Sequence, residues 1–301
     1  MPELTIGVPV FNGEPYLAQA LAGLRSQTFP HFRVVIADNA STDHTPDIAK
    51  RVVAEDPRFS YVRRERNIGL VPNFNRLFQE TTGEYFAWHA ADDVVEPDFY
   101  RACVDLLRAR PEAVAAMTGV VLMDEDGAVL GPEPEAVRAD HPDRAVRFAD
   151  LASLRHFSQF TYGVYRRAAM ARTRLMLPFF WTSDRVFLAE LALQGPLVRD
   201  PRPLYRVRQH HRRVTLAGRA AFYAGRTPRR GTMLRYSREL GLAIDHAGLD
   251  PAERGRLRRR LWMWRLRHGH LLLRSSVGAL VGVAAGSVPR RRPAPPTAVR
   301  S

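Results

Sequence analysis

The sequence predicts an α/β fold, in which a Rossmann-like, mostly parallel sheet is flanked by helices and followed by a basic helical C-terminal extension. Three observations support this prediction. Strand and helix patterns alternate through the first hundred residues, polar residues follow several apolar strands, and arginines accumulate in the second half of the 301-residue chain. We expect the sheet domain over residues 1–217, with halves at about 1–100 and 111–217, and the extension over residues 218–301.

The first hundred residues contain four strand patterns in alternation with helix patterns. The stretches LTIGVPVF, FRVVIAD, FSYVRRE and YFAWHAA predict strands, and YLAQALAGLRSQ, PDIAKRVVAE, PNFNRLFQETTG and EPDFYRACVDLLRAR predict helices. Leu17, Leu21 and Leu24 give the first helix an apolar face, and Pro46 suits the first turn of the second helix. This order, with short connections, favours a parallel sheet covered by helices on both faces.

The pattern after residue 110 is looser. The stretch VAAMTGVVLMDEDGAVLG predicts a hairpin that turns at Asp126 and Gly127. The stretch TSDRVFLAELALQG predicts a helix that Ser183 caps and Gly195 ends. Asp184 then lies in the first turn of that helix, where the helix dipole favours an ionised carboxylate.

The extension begins with a further helix pattern. The stretch ERGRLRRRLWMWRLRHGHLLLR places Leu257, Leu261, Trp264 and Leu271 along one stripe, with arginines over much of the remaining surface. The final PRRRPAPPTAVRS predicts a disordered basic tail.

The composition is that of a globular protein, with 46% apolar and 25% charged residues. The single cysteine, Cys103, excludes an internal disulfide, and its helical surroundings predict a core thiol. The N-terminal MPELTIGVPVFN lacks the basic and apolar segments of a signal peptide, and no stretch reaches the roughly 18 uninterrupted apolar residues of a spanning helix. We therefore expect a cytoplasmic protein.

The net charge of +14 is unevenly distributed. Residues 1–150 carry 15 basic and 24 acidic groups, whereas residues 151–301 carry 30 basic and 7 acidic groups, which gives net charges of −9 and +23. The only lysine is Lys50, which indicates a compositional preference for arginine but does not account for the uneven distribution. A basic half of this kind favours an anionic partner, such as nucleic acid, a membrane surface or a phosphorylated substrate.

Polar side chains follow three of the predicted strands. Asn12 follows the first, Asp38 ends the second, and Asp92 and Asp93 follow the fourth. In parallel sheets ligands bind at the carboxyl ends of the strands. Paired carboxylates suit Mg²⁺ or Mn²⁺ held partly through ligand phosphates. The alternative is a helix N-terminus, because the pair precedes VVEPDF.

Two longer stretches of this region resemble a known family. They are IGVPVFNGEPYLAQALAGLRSQTFPHFRVVIADNASTDHT and NIGLVPNFNRLFQETTGEYFAWHAADD, which include Asn67, Gly69 and Asn75. Together they resemble the inverting family 2 glycosyltransferases, whose fold is called GT-A. The resemblance is specific to about residue 100 and continues more thinly through TSDRVFLAELALQG to LYRVRQHHRRVT.

The resemblance implies a role for each matching residue. The first half of the domain would bind a nucleotide-sugar and the second half an acceptor. Nucleotide contacts are expected from Pro9, Phe11, Glu14, Asp38, Asn67 and Asp92. A divalent cation, Mn²⁺ or Mg²⁺, is expected on Asp93 and Asp92, with Asp93 preferred, and the diphosphate on Arg208, His210 and His211. Many members of the family read D-x-D-D here, whereas this chain has Ala90 in place of the first Asp, so the site has one carboxylate fewer.

The implied reaction is a single displacement. Asp184 would act as the general base that removes the proton from an acceptor hydroxyl as its oxygen attacks the anomeric carbon, with inversion. The cation would neutralise charge on the nucleoside diphosphate leaving group. The acceptor would be a saccharide, a lipid-linked molecule or another hydroxyl compound, as in polysaccharide or cell-envelope biosynthesis.

Two other classes of function stay open at this stage. A nucleic-acid-binding protein would explain the arginines, but the basic half has no zinc pattern or evident helix-turn-helix, and we expect no nucleic-acid partner. A non-catalytic nucleotide-sugar binder is the second. The basic extension itself either contacts an anionic membrane at its inner face or packs on the domain with solvated arginines.

Overall fold

The computed structural model describes residues 2–133, 137–153, 158–177, 182–210 and 232–267. It confirms the predicted α/β fold, with one central sheet flanked by helices. The strands are β1 (Leu4–Val10), β2 (Phe32–Asp38), β3 (Phe59–Arg63), β4 (Tyr85–Trp88), β5 (Val94–Val95), β6 (Ala115–Met123), β7 (Val129–Pro132), β8 (Val164–Arg166) and β9 (Leu197–Arg208).

The helices alternate with the strands in the first half, whereas in the second half α6 and α7, and then α8 and α9, follow each other without a strand between them. They are α1 (Glu14–Arg25), α2 (Thr45–Glu55), α3 (Leu70–Gln79), α4 (Phe99–Ala109), α5 (Arg144–Leu151), α6 (Arg167–Met170), α7 (Ser183–Gln194), α8 (Thr232–His246) and α9 (Pro251–Arg267). A short 3-10 turn spans Gln159–Tyr162.

The sheet has a parallel half and a mixed half. Its order is β3-β2-β1-β4-β8-β6-β9-β5, with β7 beside β6. The pairs β1–β2, β2–β3 and β1–β4 are parallel, whereas β8 runs antiparallel to β4 and β6. Every residue of β1 is buried, as in a strand covered on both faces. The carboxyl ends of β1, β2 and β4 therefore meet at one edge, as the sequence predicts.

Strand β9 connects the mixed half to the residues after β4. It runs parallel to β6 from Leu197 to Arg208, and its last part pairs antiparallel with β5, with Val94 opposite Arg206. The predicted helix that begins near Glu96 starts instead at Phe99, because Glu96 still bonds to β9 through its amide, which donates to the Leu204 carbonyl at 2.9 Å. The end of β9 thus lies beside the two adjacent aspartates, Asp92 and Asp93.

The predicted hairpin and the predicted core position of Cys103 are confirmed. Strands β6 and β7 are antiparallel, and Gly127 has φ +94, a conformation that glycine adopts without steric cost. Cys103 is fully buried, and burial raises the pKa of its thiol. The predicted cap of α7 is wrong by one residue, since Ser183 is the first helical residue and Thr182 precedes it. Gly195 ends α7 as predicted, in an extended conformation.

The helices of the extension share a core with α7. One apolar cluster fills the centre of the sheet domain, and a second joins α5 and α7 to α8 and α9. Leu257 and Leu261 are buried in the second cluster and Trp264 packs against it, which confirms that part of the predicted stripe. The hydroxyl of Tyr236 in α8 also donates to the Ala152 carbonyl at 2.7 Å.

Some predictions lie outside the described residues. These are the domain boundary at 217, His211, Leu271 and the basic tail. Within the described ranges, no helix combines the length and the apolar character needed to cross a bilayer.

The packing of α9 on the domain can be tested at Leu257, which is 1% exposed. Leu257→Ala is expected to lower the free energy of unfolding by about 2–5 kcal/mol, because it removes buried methyl groups and leaves a cavity. Leu266→Ala, at a 62% exposed position of the same helix, should change it by less than about 0.5 kcal/mol. Urea unfolding of the two variants measures the difference, and equal losses would contradict the packing.

Candidate active site

Hydrogen bonds connect the turn after β1 to the turn after β2. Asn12 has a left-handed φ of 51, which asparagine tolerates better than most residues. Its side-chain oxygen accepts from the Thr42 amide at 2.8 Å, and its own amide donates to the Ser41 hydroxyl at 2.9 Å. The Gly13 amide donates to Thr45 at 2.8 Å. These bonds fix the start of α1 against the loop after β2.

Asp38, at the end of β2, is fully buried and already bonded. One carboxylate oxygen accepts from the Ser41 amide at 2.8 Å, and the other accepts from the Tyr61 hydroxyl at 2.7 Å and lies 3.4 Å from Arg63. Burial, together with the hydrogen bond to Asp38, raises the pKa of Tyr61 to about 12. Asp38 therefore holds the turn that follows β2, and both of its carboxylate oxygens already accept hydrogen bonds from the protein.

The other predicted nucleotide residues line the same edge. Pro9 is buried in β1, while Phe11 just beyond the strand is 47% exposed. The Glu14 carboxylate accepts from the His44 amide at 3.2 Å. Asn67 accepts from Asn39 and from the Gly69 amide, both at 2.8 Å. The edge thus offers an open aromatic face beside two hydrogen-bonded turns.

Asp93 is buried and joins β4 to β9. One carboxylate oxygen accepts from the Arg208 amide at 2.9 Å, and the other accepts from the Tyr205 hydroxyl at 3.0 Å. Asp93 is only 3% exposed to solvent. His89 lies beside it with no exposed surface, and burial lowers the pKa of His89 to about 4. The charge of Asp93 is thus compensated by hydrogen bonds from β9, as buried carboxylates require.

Asp92 is the more open of the two aspartates. Its side chain is 18% exposed, and a carboxylate oxygen lies 2.7 Å from Nε2 of His210. The His210 ring also lies 5.2 Å from the Tyr16 ring, and its Nδ1 is 3.9 Å from Glu125. The structure therefore brings together Asp92 and His210, which the sequence places 118 positions apart.

Arg208 holds the loop that carries Asp92. It is 2% exposed, and its guanidinium donates to the carbonyl oxygens of Asp92, Asp124 and Glu125 at 3.0, 3.2 and 2.7 Å. It also donates to Gln19 at 2.5 Å and lies 4.5 Å from the centre of the Tyr16 ring. Because protein groups occupy most of its donors, the geometry favours a positioning role over a direct diphosphate contact.

Asp184 lies on the second half of the domain, in the first turn of α7. Asp184 is half-buried. Burial raises the pKa of its carboxyl group, and the positive charge of the adjacent Arg185 opposes that rise. Phe187, on the same face one turn later, packs 5.4 Å from Trp88, the last residue of β4. The first turns of α7 therefore pack against the end of β4.

A set of tyrosines links the two halves of the site. Tyr162 in the 3-10 turn stacks on Tyr205 at 6.1 Å, and Tyr205 donates to Asp93. Burial, then the nearby Tyr162 and Asp184, raise the pKa of Tyr165 well above its usual range. Tyr162, Tyr205 and Asp93 therefore form one connected group between the 3-10 turn and the residues after β4.

The side chains of the site supply too few ligand atoms to hold a divalent cation by themselves, so a bound ligand would have to supply the others. No group of three or more His, Cys, Asp and Glu side chains able to hold a metal occurs within the described residues. Asp92 and His210 nevertheless supply a carboxylate oxygen and an imidazole nitrogen 2.7 Å apart. Because Mg²⁺ and Mn²⁺ are commonly held by one or two carboxylates together with phosphates of a ligand, Asp92 fits such a cation, and His210 would join it only once its hydrogen bond to Asp92 is broken.

Several residues of the site were not found from the sequence. Tyr16 and Gln19 hold Arg208 from α1, and Tyr205 and Tyr162 link the halves. Tyr16 and Gln19 share a helix face at a spacing of three, which is a signal for joint contact but not for its partner. No local pattern distinguishes Tyr162 or Tyr205 from ordinary core tyrosines.

Known proteins resemble the chain at the level of sequence. The family model described as Glycosyl transferase family 2 matches residues 5–173. The putative glycosyltransferase EpsH of Bacillus subtilis is 29% identical over 180 residues, which is 59% of this chain and 51% of EpsH. The chain thus spans about half the length of this curated relative.

Two solved structures show the same fold. S. aureus TarS 1-349 in complex with UDP-GlcNAc has a TM-score of 0.67 at 17% identity, covering 89% of this chain and 75% of that chain. The mannosyltransferase PcManGT from Pyrobaculum calidifontis, in complex with GDP-Man and Mn2+, has a TM-score of 0.58 at 19% identity, covering 95% and 76%. These likenesses concern the fold alone and confirm the GT-A fold predicted from the sequence.

The different roles of the two aspartates can be separated by stability. Asp93→Ala leaves the Arg208 amide and the Tyr205 hydroxyl without their acceptor, and each unsatisfied buried group is expected to cost about 1–3 kcal/mol. Asp92→Ala, at the adjacent and more exposed position, should cost less than about 1 kcal/mol. Urea unfolding monitored by circular dichroism measures both. A larger loss for Asp92→Ala would show that the buried bonds of Asp93 are not what holds β9.

Proposed function

The chain belongs to glycosyl transferase family 2, and from this premise we propose that it transfers a sugar from a nucleotide-diphosphate donor to an acceptor hydroxyl with inversion. One observation carries the proposal. Asp92 and His210 lie together just beyond β4, and α7, which carries the half-buried Asp184, packs through Phe187 on Trp88 at the end of β4. A donor with a charged diphosphate fits the first group, and a hydroxyl to be deprotonated fits the second.

We assign the nucleotide to the edge formed by the turns after β1 and β2. Phe11 offers an exposed aromatic face for the base, with Pro9 behind it and Glu14 beside it. Asp38 would accept a hydrogen bond from the base once Tyr61 turns away, because its carboxylate is buried beneath that hydroxyl. Asn67 would act through the turn that it holds with Asn39. Since UDP and GDP donors both occur on this fold, the identity of the base stays open.

We assign the cation to Asp92 and His210. The sequence favours Asp93, but that carboxylate is buried and bonded on both oxygens, whereas Asp92 is exposed to the site. A bound Mn²⁺ or Mg²⁺ would neutralise the negative charge that the diphosphate gains as it leaves. Asp93 and Arg208 would position the loop, and His211 would add a diphosphate contact from outside the described residues.

We propose Asp184 as the general base. The acceptor oxygen forms its bond to the anomeric carbon on the face opposite the leaving group. The bond between that carbon and the diphosphate oxygen breaks, and its electron pair goes to the diphosphate. The acceptor proton passes to the Asp184 carboxylate. Burial raises the pKa of Asp184, and this makes the carboxylate a stronger base than an exposed aspartate.

We propose a saccharide, lipid-linked or other hydroxyl compound of the cell envelope as the acceptor, met by the chain in the cytoplasm or at the inner face of the membrane. A non-catalytic nucleotide-sugar binder is the remaining alternative. It would bind the donor without any dependence on Asp184. The nucleic-acid-binding alternative has less support, because the family match lies mainly in the acidic half of the chain.

The donor site can be tested by thermal shift with UDP, dTDP and GDP, each with and without Mn²⁺. A nucleotide that binds only the native state at one hundred times its Kd stabilises the protein by about 2.7 kcal/mol, which raises Tm by several degrees. We expect one nucleotide to do so, and more strongly with Mn²⁺. Asp92→Asn should remove the effect of Mn²⁺, whereas Asp200→Asn, in a peripheral ion pair with Arg202, should keep it. No shift with any of the three would contradict the proposal.

The base can be tested with Asp184→Asn, which keeps the shape of the side chain and removes its basicity. We expect kcat to fall by about 10²–10⁴-fold, the usual contribution of a general base. The nucleotide-induced thermal shift should be unchanged, because Asp184 is not part of the donor edge. Donor turnover with a saccharide acceptor supplies the rate, and Asp200→Asn serves as the control.

The pH dependence gives a second readout for Asp184. The ionised carboxylate is the active form, so kcat should fall as the pH drops through its pKa. Because burial raises that pKa, the fall should begin at a higher pH than for an exposed aspartate. A pH profile of kcat that Asp184→Asn leaves unchanged in shape would indicate a different base.

A further inference from the structure

Helix α9 has two apolar faces, and one of them packs on the part of the protein that the structure describes. Leu257 and Leu261 are buried in the cluster shared with α5, α7 and α8. Trp262, Met263 and Leu266 are 58, 45 and 62% exposed. With 3.6 residues per turn, these three positions fall within an arc of about 100° on the side away from Leu257 and Leu261. We call these three residues the α9 stripe.

Arginines surround the α9 stripe on both flanks. On the helical wheel Arg259 falls within the stripe, Arg258 and Arg265 fall along one side, and Arg256, Arg260 and Arg267 fall along the other. Each of these arginines is exposed. Arg258 forms an ion pair with Asp245 at 2.6 Å, and weaker pairs link Arg256 to Glu253 at 3.9 Å and Arg260 to Asp143 at 3.8 Å. No ion pair links Arg259 or Arg267 to an acid of the described residues. The outer face of α9 therefore combines exposed apolar groups with excess positive charge.

We infer that the α9 stripe docks on an anionic phospholipid bilayer, with α9 lying in the plane of the interface. An apolar row that contains tryptophan and is bordered by arginines suits this position, because the apolar side chains enter the headgroup region while the guanidinium groups meet lipid phosphates. Each basic residue near an anionic surface adds roughly 1 kcal/mol of binding free energy, which is about a fivefold gain in affinity.

Other occupants of the α9 stripe fit its charge less well. A second copy of the chain, related by a two-fold axis, would bring the same arginines together. Residues 268–301 of this chain carry five arginines and no acidic residue, so they offer no negative charge to the arginines beside the stripe. Nucleic acid would pair with the arginines but offers no apolar partner for Met263 and Leu266.

Docking through α9 would place the catalytic domain at the membrane. Helix α9 shares its core with α7, which carries Asp184 at its first turn, so docking would fix the orientation of the proposed base relative to the lipid surface. Of these consequences of docking, only access to a lipid-linked acceptor depends on the proposed function. The surface itself is tested without nucleotide or acceptor, so its failure is distinguishable from failure of the transfer reaction.

The test is co-sedimentation of the full chain with vesicles of phosphatidylcholine alone and of phosphatidylcholine with 30% phosphatidylglycerol, a composition that we choose. We expect wild-type protein to bind the anionic vesicles at least tenfold more tightly. Trp262→Glu with Leu266→Glu should lower that affinity at least tenfold. Val129→Glu with Leu130→Glu is the matched control, because it makes the same charge change at two exposed apolar residues of β7 and should bind as wild type.

A second variant tests the charges apart from the apolar groups. Arg259→Gln with Arg267→Gln should weaken binding to anionic vesicles by about 25-fold, five for each arginine, and added salt should reduce the difference. Melting curves of all variants establish that each is folded. Equal wild-type binding to both vesicle types, or equal binding by the α9 and β7 glutamate pairs, would overturn the inference. Retention on DNA without vesicle binding, or a dimer that the α9 glutamate pair dissociates, would also overturn it.

Discussion

The buried carboxylate of Asp93 is the interaction on which the candidate site depends. It accepts hydrogen bonds from the Arg208 amide and the Tyr205 hydroxyl, and so fixes the end of β9 against the residues after β4. A buried charge is costly unless hydrogen bonds compensate it, and a carboxylate bonded on both oxygens meets that requirement. Once β9 is held there, the Arg208 guanidinium reaches back to the Asp92 carbonyl and orients the open aspartate. His210, two residues later, then reaches the Asp92 side chain.

This arrangement divides the two adjacent aspartates between two tasks. Like charges in sequence need not repel strongly when one is buried in a network of donors and the other faces the site beside an imidazole. It also bears on Ala90, which stands where many sequences of the family carry a further aspartate. In the proposed cation site, the side chain beside Asp92 is that of His210, which lies two residues beyond the end of β9. We regard the contact between β9 and this loop as the element that sets the geometry for a cation and a diphosphate.

The uneven charge of the chain corresponds to its architecture. The acidic first half carries the carboxylates of the edge where β1, β2 and β4 end, and the basic second half supplies Arg208, His210 and the arginines of α9. The part of the extension that the structure describes is not a separate unit, because α8 and α9 share an apolar cluster with α5 and α7. Its inner apolar residues pack on the domain, as one of the two predicted alternatives has it. Its outer face stays exposed, so contact with a membrane, the other predicted alternative, is compatible with this packing.

The sequence by itself determined the α/β fold, the parallel half of the sheet and the edge where the polar residues gather. Those features follow from local periodicity and from the rule that parallel strands end together, and neither needs knowledge of distant contacts. The order of helices, the hairpin at Gly127 and the buried Cys103 were predictable for the same reason. The tertiary structure alone decided which aspartate is open, because exposure depends on β9, whose contacts lie more than a hundred positions away. The tertiary structure also bonded the Tyr61 hydroxyl to Asp38 and directed the Arg208 guanidinium to carbonyl groups of the protein. It stacked Tyr162 of the 3-10 turn on Tyr205 of β9. Such pairings depend on how the sheet closes, a non-local property that residue type and spacing do not encode.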